Sequence, residues 1–127
     1  MTVPFNPNSR LSIVTAELDG PRRKTKLRVA LDTGSSRTSV NRWVLRSLGY
    51  DPDASTVRYR MTTSSGVEYV PSVNVVRFSA LGHERLDFPV ICHSLPATAT
   101  IDGLLGLDFL RGHELTIDFR HGLITLT

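Results

Sequence analysis

The chain has 127 residues, of which 40% are hydrophobic and 21% charged, so it is about one domain long and can build a core. This composition argues against an intrinsically disordered chain. No apolar run approaches the roughly 20 residues of a spanning helix, so we expect no membrane insertion. The net charge is +3, from 15 Lys and Arg against 12 Asp and Glu. The one cysteine, Cys92, excludes an internal disulfide and a zinc site built on a Cys pair.

The first ten residues of the chain are polar and include prolines. They lack the basic stretch followed by an apolar run that marks a secretory signal. We therefore expect residues 1–127 to form one domain, in which residues 1–10 are a loosely ordered N-terminal arm. The missing signal and the single cysteine favour a cytoplasmic location.

Basic side chains cluster in one place, between Arg22 and Arg28. Lys24, Lys26 and Arg28 occupy every second position there, which is typical of the solvent-exposed face of a β-strand. Few aromatic residues accompany these charges, so the run does not indicate a surface on which nucleic-acid bases stack. We expect no nucleic-acid partner. The alternative is a small β-barrel that binds an acidic polymer through this run, with an affinity that falls steeply with salt.

Short apolar runs separated by turn residues predict a mainly β fold. The Asp19-Gly20-Pro21 turn joins the first two runs, and Gly66 closes the tip of a long hairpin, where its backbone freedom suits a tight turn. A last hairpin is predicted near the C-terminus. The predicted strands cover residues 11–18, 24–31, 56–61, 67–78, 85–91, 115–119 and 123–126.

Two short helices are predicted between the strands. Asn41 is a suitable N-cap and Gly49 a suitable C′ residue for the first, in which we expect Trp43 to pack on the sheet. The second covers residues 107–111 and ends at Gly112. Because both helices are short, the sheet must carry the fold.

An acidic residue, Asp32, ends an apolar strand and is followed by Thr33, Gly34 and two serines. A carboxylate at the end of a buried run is costly unless donors satisfy its oxygens. Gly34 allows the backbone to turn sharply and bring amide groups to the carboxylate. Asp32 is thus the strongest candidate for a catalytic acid or base.

The Asp32-Thr33-Gly34-Ser35 sequence resembles the active-site motif of aspartic proteases. A second segment, residues 104–110 (Leu-Leu-Gly-Leu-Asp-Phe-Leu), is similar to the hydrophobic-hydrophobic-Gly segment that these enzymes place before a short helix. The order of the motifs and predicted elements also agrees. Over roughly residues 11–126 the chain resembles the single-domain retropepsin-like branch, of the cellular or bacterial rather than the retroviral type. This implies a single-lobe acid-protease barrel with a flap hairpin.

The resemblance implies a homodimeric aspartic endopeptidase. Its chemistry needs two carboxylates that share a proton, and this chain has one Asp-Thr-Gly. Asp102 and Asp118 lack the Thr/Ser-Gly context, so the second carboxylate is expected from Asp32 of another copy across a two-fold axis. The expected partners are this second copy and a peptide or protein substrate. No cofactor and no metal are expected, because the four histidines show no metal-binding spacing.

Further roles follow from the resemblance alone. Thr33 would hydrogen-bond across the dimer axis, while Gly34 would give its amide and Ser35 its hydroxyl to Asp32. The hairpin tip would be the flap that closes over an extended peptide, with Arg37 lining a subsite suited to an acidic group. Leu104, Leu105 and Gly106 would brace the active-site loop. The flap residues are Thr63, Ser64, Ser65 and Gly66.

The sequence departs from the retroviral pattern at two linked positions. An acidic residue and an Arg that form an ion pair in that pattern are here Ser36 and Leu107. We therefore expect this ion pair to be absent and leave open whether terminal strands hold the dimer. A Ser35 hydroxyl donated to Asp32 stabilises the ionised carboxylate, which predicts an acidic optimum for peptide cleavage.

Two other functions are compatible with parts of the sequence. The first is a non-catalytic module of the same fold that binds peptides or supports assembly. The second is a cysteine nucleophile, suggested by Cys92 next to His93. Neighbouring residues on a strand point to opposite faces, so this pairing has poor geometry, and a buried structural Cys92 is favoured.

Overall fold

The computed structural model describes residues 1–95 and 99–127. Strands predominate, and the helices are two short α-helices and one 3₁₀ turn. The strands are β1 (Thr2–Pro4), β2 (Ile13–Asp19), β3 (Lys24–Leu31), β4 (Ser39–Val40), β5 (Arg58–Thr63), β6 (Gly66–Ala80), β7 (His83–Cys92), β8 (Gly103–Leu105), β9 (Leu115–Asp118) and β10 (Leu123–Leu126). The helices are α1 (Arg42–Ser47) and α2 (Leu107–Leu110), and the 3₁₀ turn covers Pro52–Ala54.

Six of the described strands close into a barrel in the order β2-β3-β8-β4-β7-β6, which returns to β2 through a β2–β6 pairing. The β3–β8 and β4–β7 pairs are parallel and the other pairs are antiparallel. The remaining strand of this sheet, β5, pairs with β6 alone and extends as a hairpin arm. The mainly β fold predicted from the sequence is confirmed.

The barrel core is built by strand residues that alternate between its two faces. In β2 the side chains of Val14, Ala16 and Leu18 are buried, and the intervening positions are half-buried or exposed. Three phenylalanines fill the centre, with ring centroids 5.5 to 6.1 Å apart. Each such ring contributes about 1.5–3 kcal/mol by leaving water. These rings belong to Phe78, Phe88 and Phe109.

The basic run of β3 lies on the outer face of the barrel, as predicted. Lys24, Lys26 and Arg28 are exposed, while the residues between them are buried or half-buried. In the β2–β3 register Lys24 is opposite Asp19 and Lys26 is opposite Glu17. Opposite charges in such cross-strand positions attract each other, so the acidic strand offsets much of this positive charge.

Residues near the N-terminus form a strand where the sequence analysis expected a loosely ordered arm. β1 pairs with β10, which also pairs with β9, in a separate three-stranded sheet. Thr2 and Thr125 face each other with their Oγ1 atoms 2.7 Å apart, and the Phe5 amide donates to the Gly122 carbonyl at 2.9 Å. The expectation was wrong for Thr2–Pro4 because pairing with a distant strand supplies hydrogen bonds that the local sequence does not reveal.

α1 begins and ends as predicted. The Asn41 side chain accepts a hydrogen bond from the Trp43 amide, and Gly49 follows the helix with φ +98°. Leu45 and Leu48 are fully buried and attach the helix to the barrel. Trp43 was expected to pack on the sheet, but 70% of it is exposed, because α1 turns its other face inward. Among the described residues, no helix has the length and apolar character needed to cross a bilayer.

Candidate active site

Asp32 directly follows β3 and is held from both sides by backbone hydrogen bonds. Its amide donates to the Leu105 carbonyl at 3.0 Å, and the Gly34 amide donates to Asp32 Oδ1 at 3.0 Å. The Ser35 amide closes the turn by donating to the Asp32 carbonyl at 3.2 Å. Asp32 is half-buried, and within the described residues its Oδ2 accepts no hydrogen bond. One carboxylate oxygen is therefore anchored and the other is available.

The end of β8 and the residues that follow it pack against the active-site loop. Leu31 and Leu105 are paired in the parallel β3–β8 register, and Leu105 is fully buried, whereas Leu104 is half-buried. The Leu107 amide donates to the Ser35 carbonyl at 2.9 Å. The backbone of Leu105, at the end of β8, and that of Leu107, after it, thus bond to the loop on either side of Gly34.

Gly106 allows the closest of these approaches. A Cβ atom at this position would lie 2.6 Å from both the carbonyl carbon and the oxygen of Arg37. The Gly106 amide donates to Thr38 Oγ1 at 3.1 Å, and Thr38 is fully buried. The absence of a side chain therefore lets the two backbones pack directly against each other.

An ion pair that the sequence analysis did not anticipate joins the loop to α2. Arg37 Nε lies 3.4 Å from Asp108 Oδ2, and the two side chains are 24% and 18% exposed. The contact is an ion pair without a hydrogen bond, since the buried Oδ2 has no hydrogen-bond partner in the described residues. Ser36 and Leu107 do lack the pair of the retroviral pattern. A pair of reversed polarity occurs instead one residue later at each end.

The second oxygen of Asp108 accepts three hydrogen bonds. The Thr38 amide donates at 2.9 Å, the Thr38 hydroxyl at 2.7 Å and the Phe109 amide at 2.9 Å. Asp108 therefore links the active-site loop to the start of α2. This role could not be predicted locally, because Asp108 is about 70 residues from its partners Arg37 and Thr38 in the chain.

The side chain of Ser35 is hydrogen-bonded within the active-site loop, whereas the side chain of Thr33 is exposed. The Ser35 hydroxyl donates to the Arg37 carbonyl at 2.8 Å, so the expectation that it donates to Asp32 was wrong. Serine hydroxyls commonly bond to backbone groups close to them in the chain, and here the acceptor is the carbonyl two residues ahead. The acidic optimum for cleavage was predicted from a hydrogen bond between Ser35 and Asp32, and without that bond it has no structural basis. Thr33 is exposed at the tip of the loop and makes no side-chain hydrogen bond within the part of the chain that the structure describes.

The long hairpin borders a cleft beside the active-site loop. The cleft has a volume of about 410 Å³ and lies between the loop and β5. Arg37 lines this cleft, whereas the tip residues Thr63 and Gly66 do not. The tip turn is closed locally, since Thr63 Oγ1 donates to the Gly66 carbonyl at 3.1 Å. The lining residues are Gly34, Ser35, Ser36, Arg37, Tyr59, Arg60, Met61, Thr62 and Ile91.

Six residues of the cleft wall were missed as site residues, namely Ser36, Tyr59, Arg60, Met61, Thr62 and Ile91. Tyr59 on β5 places its hydroxyl 2.8 Å from the Ser36 hydroxyl. Its ring centroid lies 4.9 Å from the Arg37 guanidinium carbon. The alternation of β5 places Tyr59 and Met61 on the same inner face, which could have been predicted from the sequence. The strand residues alone do not reveal which loop these side chains contact.

The other carboxylates considered as partners for Asp32 have their own contacts. Asp102 Oδ2 accepts a hydrogen bond from the Arg28 amide at 2.9 Å. Asp118 accepts from the amides of Arg120 and His121, and the hydrogen bond from the His121 amide is the main cause that lowers the pKa of Asp118. Neither residue lines the cleft. Within residues 1–95 and 99–127, no group of three or more His, Cys, Asp or Glu is placed to hold a metal ion.

Cys92 is predicted to be an unreactive thiol. It is 2% exposed, and burial raises its pKa because the thiolate is disfavoured away from water. At pH 8 the folded chain therefore holds less thiolate than the unfolded chain. We expect iodoacetamide to label native Cys92 at least about tenfold more slowly than Cys92 in urea. Labelling at equal rates, followed by mass spectrometry, would contradict the buried position.

Comparison with known proteins identifies relatives of this arrangement. A family model described as aspartyl protease matches residues 14–109, a span that includes the Asp32 loop and α2 up to Phe109. No curated protein sequence matches the chain. The family match contradicts the alternative of an unrelated β-barrel.

Two solved structures show the same architecture. A retropepsin-like aspartic protease from Rickettsia conorii superposes with a TM-score of 0.74 at 19% identity, covering 99% of this chain and 88% of that chain. The retroviral protease-like domain of Ddi1 from Leishmania major superposes with a TM-score of 0.62 at 17% identity, covering 94% and 90%. At these identities the likeness establishes the fold, and the expected retropepsin-like fold is confirmed.

Proposed function

This chain belongs to the aspartyl protease family, and on that premise we propose that it is an aspartic endopeptidase that acts as a homodimer through Asp32 of each copy. One observation carries the proposal. Asp32 lies two residues before Gly34, the first residue of the loop that lines the cleft, with one carboxylate oxygen bound to the Gly34 amide and the other available. A rigidly held carboxylate beside an open cleft is suited to activating a water molecule.

The proposed reaction uses two carboxylates that share one proton. The ionised carboxylate takes a proton from a water molecule as the water oxygen attacks the carbonyl carbon of the scissile peptide bond. The protonated carboxylate gives its proton to the carbonyl oxygen, which yields a tetrahedral diol. The carboxyl group that took the proton from water then donates it to the nitrogen, and the other carboxylate takes a hydroxyl proton from the diol as the C–N bond breaks. This releases an amine and a carboxylic acid and restores the shared proton. No covalent bond between enzyme and substrate forms at any step.

The second carboxylate is proposed to come from a second copy of the chain. The family chemistry needs two facing carboxylates, and Asp102, Asp108 and Asp118 are bound to other parts of the fold. Thr33 is exposed beside Asp32, so it is free to meet its counterpart across a two-fold axis. A symmetric pair of loops places both carboxylates in one shared site.

The substrate is proposed to be an extended peptide segment with apolar side chains next to the cut. The β5–β6 hairpin borders the cleft, and a hairpin backbone can hydrogen-bond to an extended chain in the manner of an added strand. Closure of the hairpin would also keep bulk water away from the reacting carbonyl. Thr63, Ser64, Ser65 and Gly66 are the proposed contact residues at its tip.

We expect cleavage to depend on protein concentration in a way that a one-chain enzyme does not show. If the site needs two copies, the rate per chain rises with concentration until the dimer is saturated. An unfolded protein and a quenched peptide serve as substrates, and a statine-type transition-state analogue serves as inhibitor. The midpoint of the rate curve should match the dimer dissociation constant from sedimentation.

Two outcomes would contradict the proposal. A rate per chain that is constant over the whole range in which the dimer forms would show that one chain suffices. Binding of the statine inhibitor without turnover of any substrate would favour the non-catalytic, peptide-binding module instead.

A further inference from the structure

The arm of the hairpin is attached to the active-site loop by side chains of two adjacent loop residues. The Tyr59 hydroxyl lies 2.8 Å from Ser36 Oγ, within hydrogen-bond distance, and the Tyr59 ring stacks near the Arg37 guanidinium at 4.9 Å. Tyr59 is half-buried on the inner face of β5. Ser36 and Arg37 follow Asp32 by only a few residues. The arm is therefore joined to the same loop that carries the proposed catalytic carboxylate.

The loop side of this attachment is rigid. Arg37 is paired with Asp108 at the start of α2 and donates through Nη2 to the Pro89 carbonyl of β7 at 3.1 Å. A guanidinium held by two other elements presents a fixed surface, so the aromatic ring that stacks on it has one preferred position. The Ser36 hydroxyl then fixes the direction in which the ring extends.

The hairpin beyond this point has few other attachments. Among the described strands, β5 pairs with β6 alone, and its partner residues in β6 from Gly66 to Tyr69 are exposed. A two-stranded ribbon without a packed face is marginally stable in water. Its position over the cleft therefore depends on contacts at its base, of which Tyr59 makes the two described above.

We propose that Tyr59 and Ser36 form a latch that sets the position of the hairpin over the cleft, which makes them positioning residues for peptide binding. The inference rests on the proposed function. Loosening the latch leaves Asp32 and its Gly34 hydrogen bond in place, so the chemistry is retained. It weakens binding of the peptide by the hairpin, and the loss of binding free energy is the same in the Michaelis complex and in the transition state.

The test uses Tyr59→Phe, Ser36→Ala and the double variant. Tyr59→Phe removes the hydroxyl and keeps the stacked ring. Tyr69→Phe is the matched control, because Tyr69 lies on the partner strand of the same hairpin, is 66% exposed and makes no side-chain hydrogen bond within the described residues. Each variant is measured by amide hydrogen exchange of the hairpin and by kcat and KM on a peptide substrate.

We expect amides in β5 and the hairpin tip to exchange roughly three- to tenfold faster in both single variants, with unchanged exchange in β2 and β3. KM should rise by a similar factor while kcat stays within about twofold. The double variant should match the single variants, because both remove the same contact. Tyr69→Phe should match the wild type in every measurement.

Two results would overturn the latch. One is wild-type exchange in the hairpin of Tyr59→Phe and Ser36→Ala, and the other is full additivity of the two substitutions. A wild-type chain that cleaves no peptide would contradict the proposed function only, since the exchange measurements decide the latch without any activity.

Discussion

Replacing Asp32 with Asn is expected to lower kcat for peptide cleavage by at least about a thousandfold, because the amide can neither accept a proton from water nor exchange one with its counterpart. The shape of the side chain is kept, and the Oδ1 atom can still accept from the Gly34 amide, which lies 3.0 Å away. The fold and the dimer are therefore expected to persist. Kinetics on a quenched peptide, together with sedimentation, measure both expectations.

Mixing the two forms of the protein separates a shared site from an independent one. When a large excess of Asp32→Asn is added to the wild type, most wild-type chains enter mixed pairs that have a single carboxylate. Cleavage should then fall far below that of the wild type alone. Unchanged cleavage in the mixture, with pair formation shown by sedimentation, would mean that each chain works by itself.

Asp87→Asn is the matched control for this substitution. Asp87 is exposed on β7, does not line the cleft and has a φ of 49°, a backbone conformation in which Asn is readily accommodated. We expect its kcat and KM to equal those of the wild type. A loss of activity in this variant as large as that in Asp32→Asn would contradict the catalytic role proposed for Asp32.

Gly106→Ala is the second substitution with a large expected effect, on stability. The added Cβ would lie 2.6 Å from two backbone atoms of Arg37 and 2.9 Å from the Thr38 amide nitrogen. Backbone atoms cannot rotate away as a side chain can, so the strand and the loop must separate. We expect the free energy of unfolding to fall by about 3 kcal/mol. Urea unfolding at one fixed protein concentration measures this change.

Gly112→Asn is a control at a glycine with open surroundings. Apart from its own residue and its two chain neighbours, no described residue has an atom within 4 Å of a Cβ built there, and its φ of +85° is a conformation that Asn tolerates better than other side chains. We expect a change well below that of Gly106→Ala. Equal stability of Gly106→Ala and the wild type would contradict the close packing of the loop against the segment after β8.

The sequence was sufficient to predict the longer strands and the Asp32 motif. β2 alternates between buried and less buried positions over its seven residues, β3 does so from Lys24 to Val29, and turn residues mark the ends of these strands and of β6. β1 and β4 were not predicted, because two or three residues cannot show a period of two. Their pairing depends on strands that are distant in the chain.

The side-chain contacts of the site were harder to predict than its backbone. Asp108 and Arg37 meet only because β8 brings α2 beside the loop, so neither residue reveals the pair locally. The Ser35 hydroxyl was assigned the wrong acceptor, since several oxygens compete within one turn and the sequence does not rank them. Tyr59 was overlooked because its partner Ser36 belongs to a different element.

The self-contained sheet of β1, β10 and β9 has a consequence for how copies would recognise each other. Both edges of β10 are already occupied within one molecule, so exchanging this strand with a neighbour requires an existing ladder to break first. An assembly that keeps this sheet can extend it only at its outer strands, β1 and β9, or use another surface such as the exposed loop around Thr33. In the proposed homodimer, the share of chains that are paired, and hence competent, rises with the abundance of the protein.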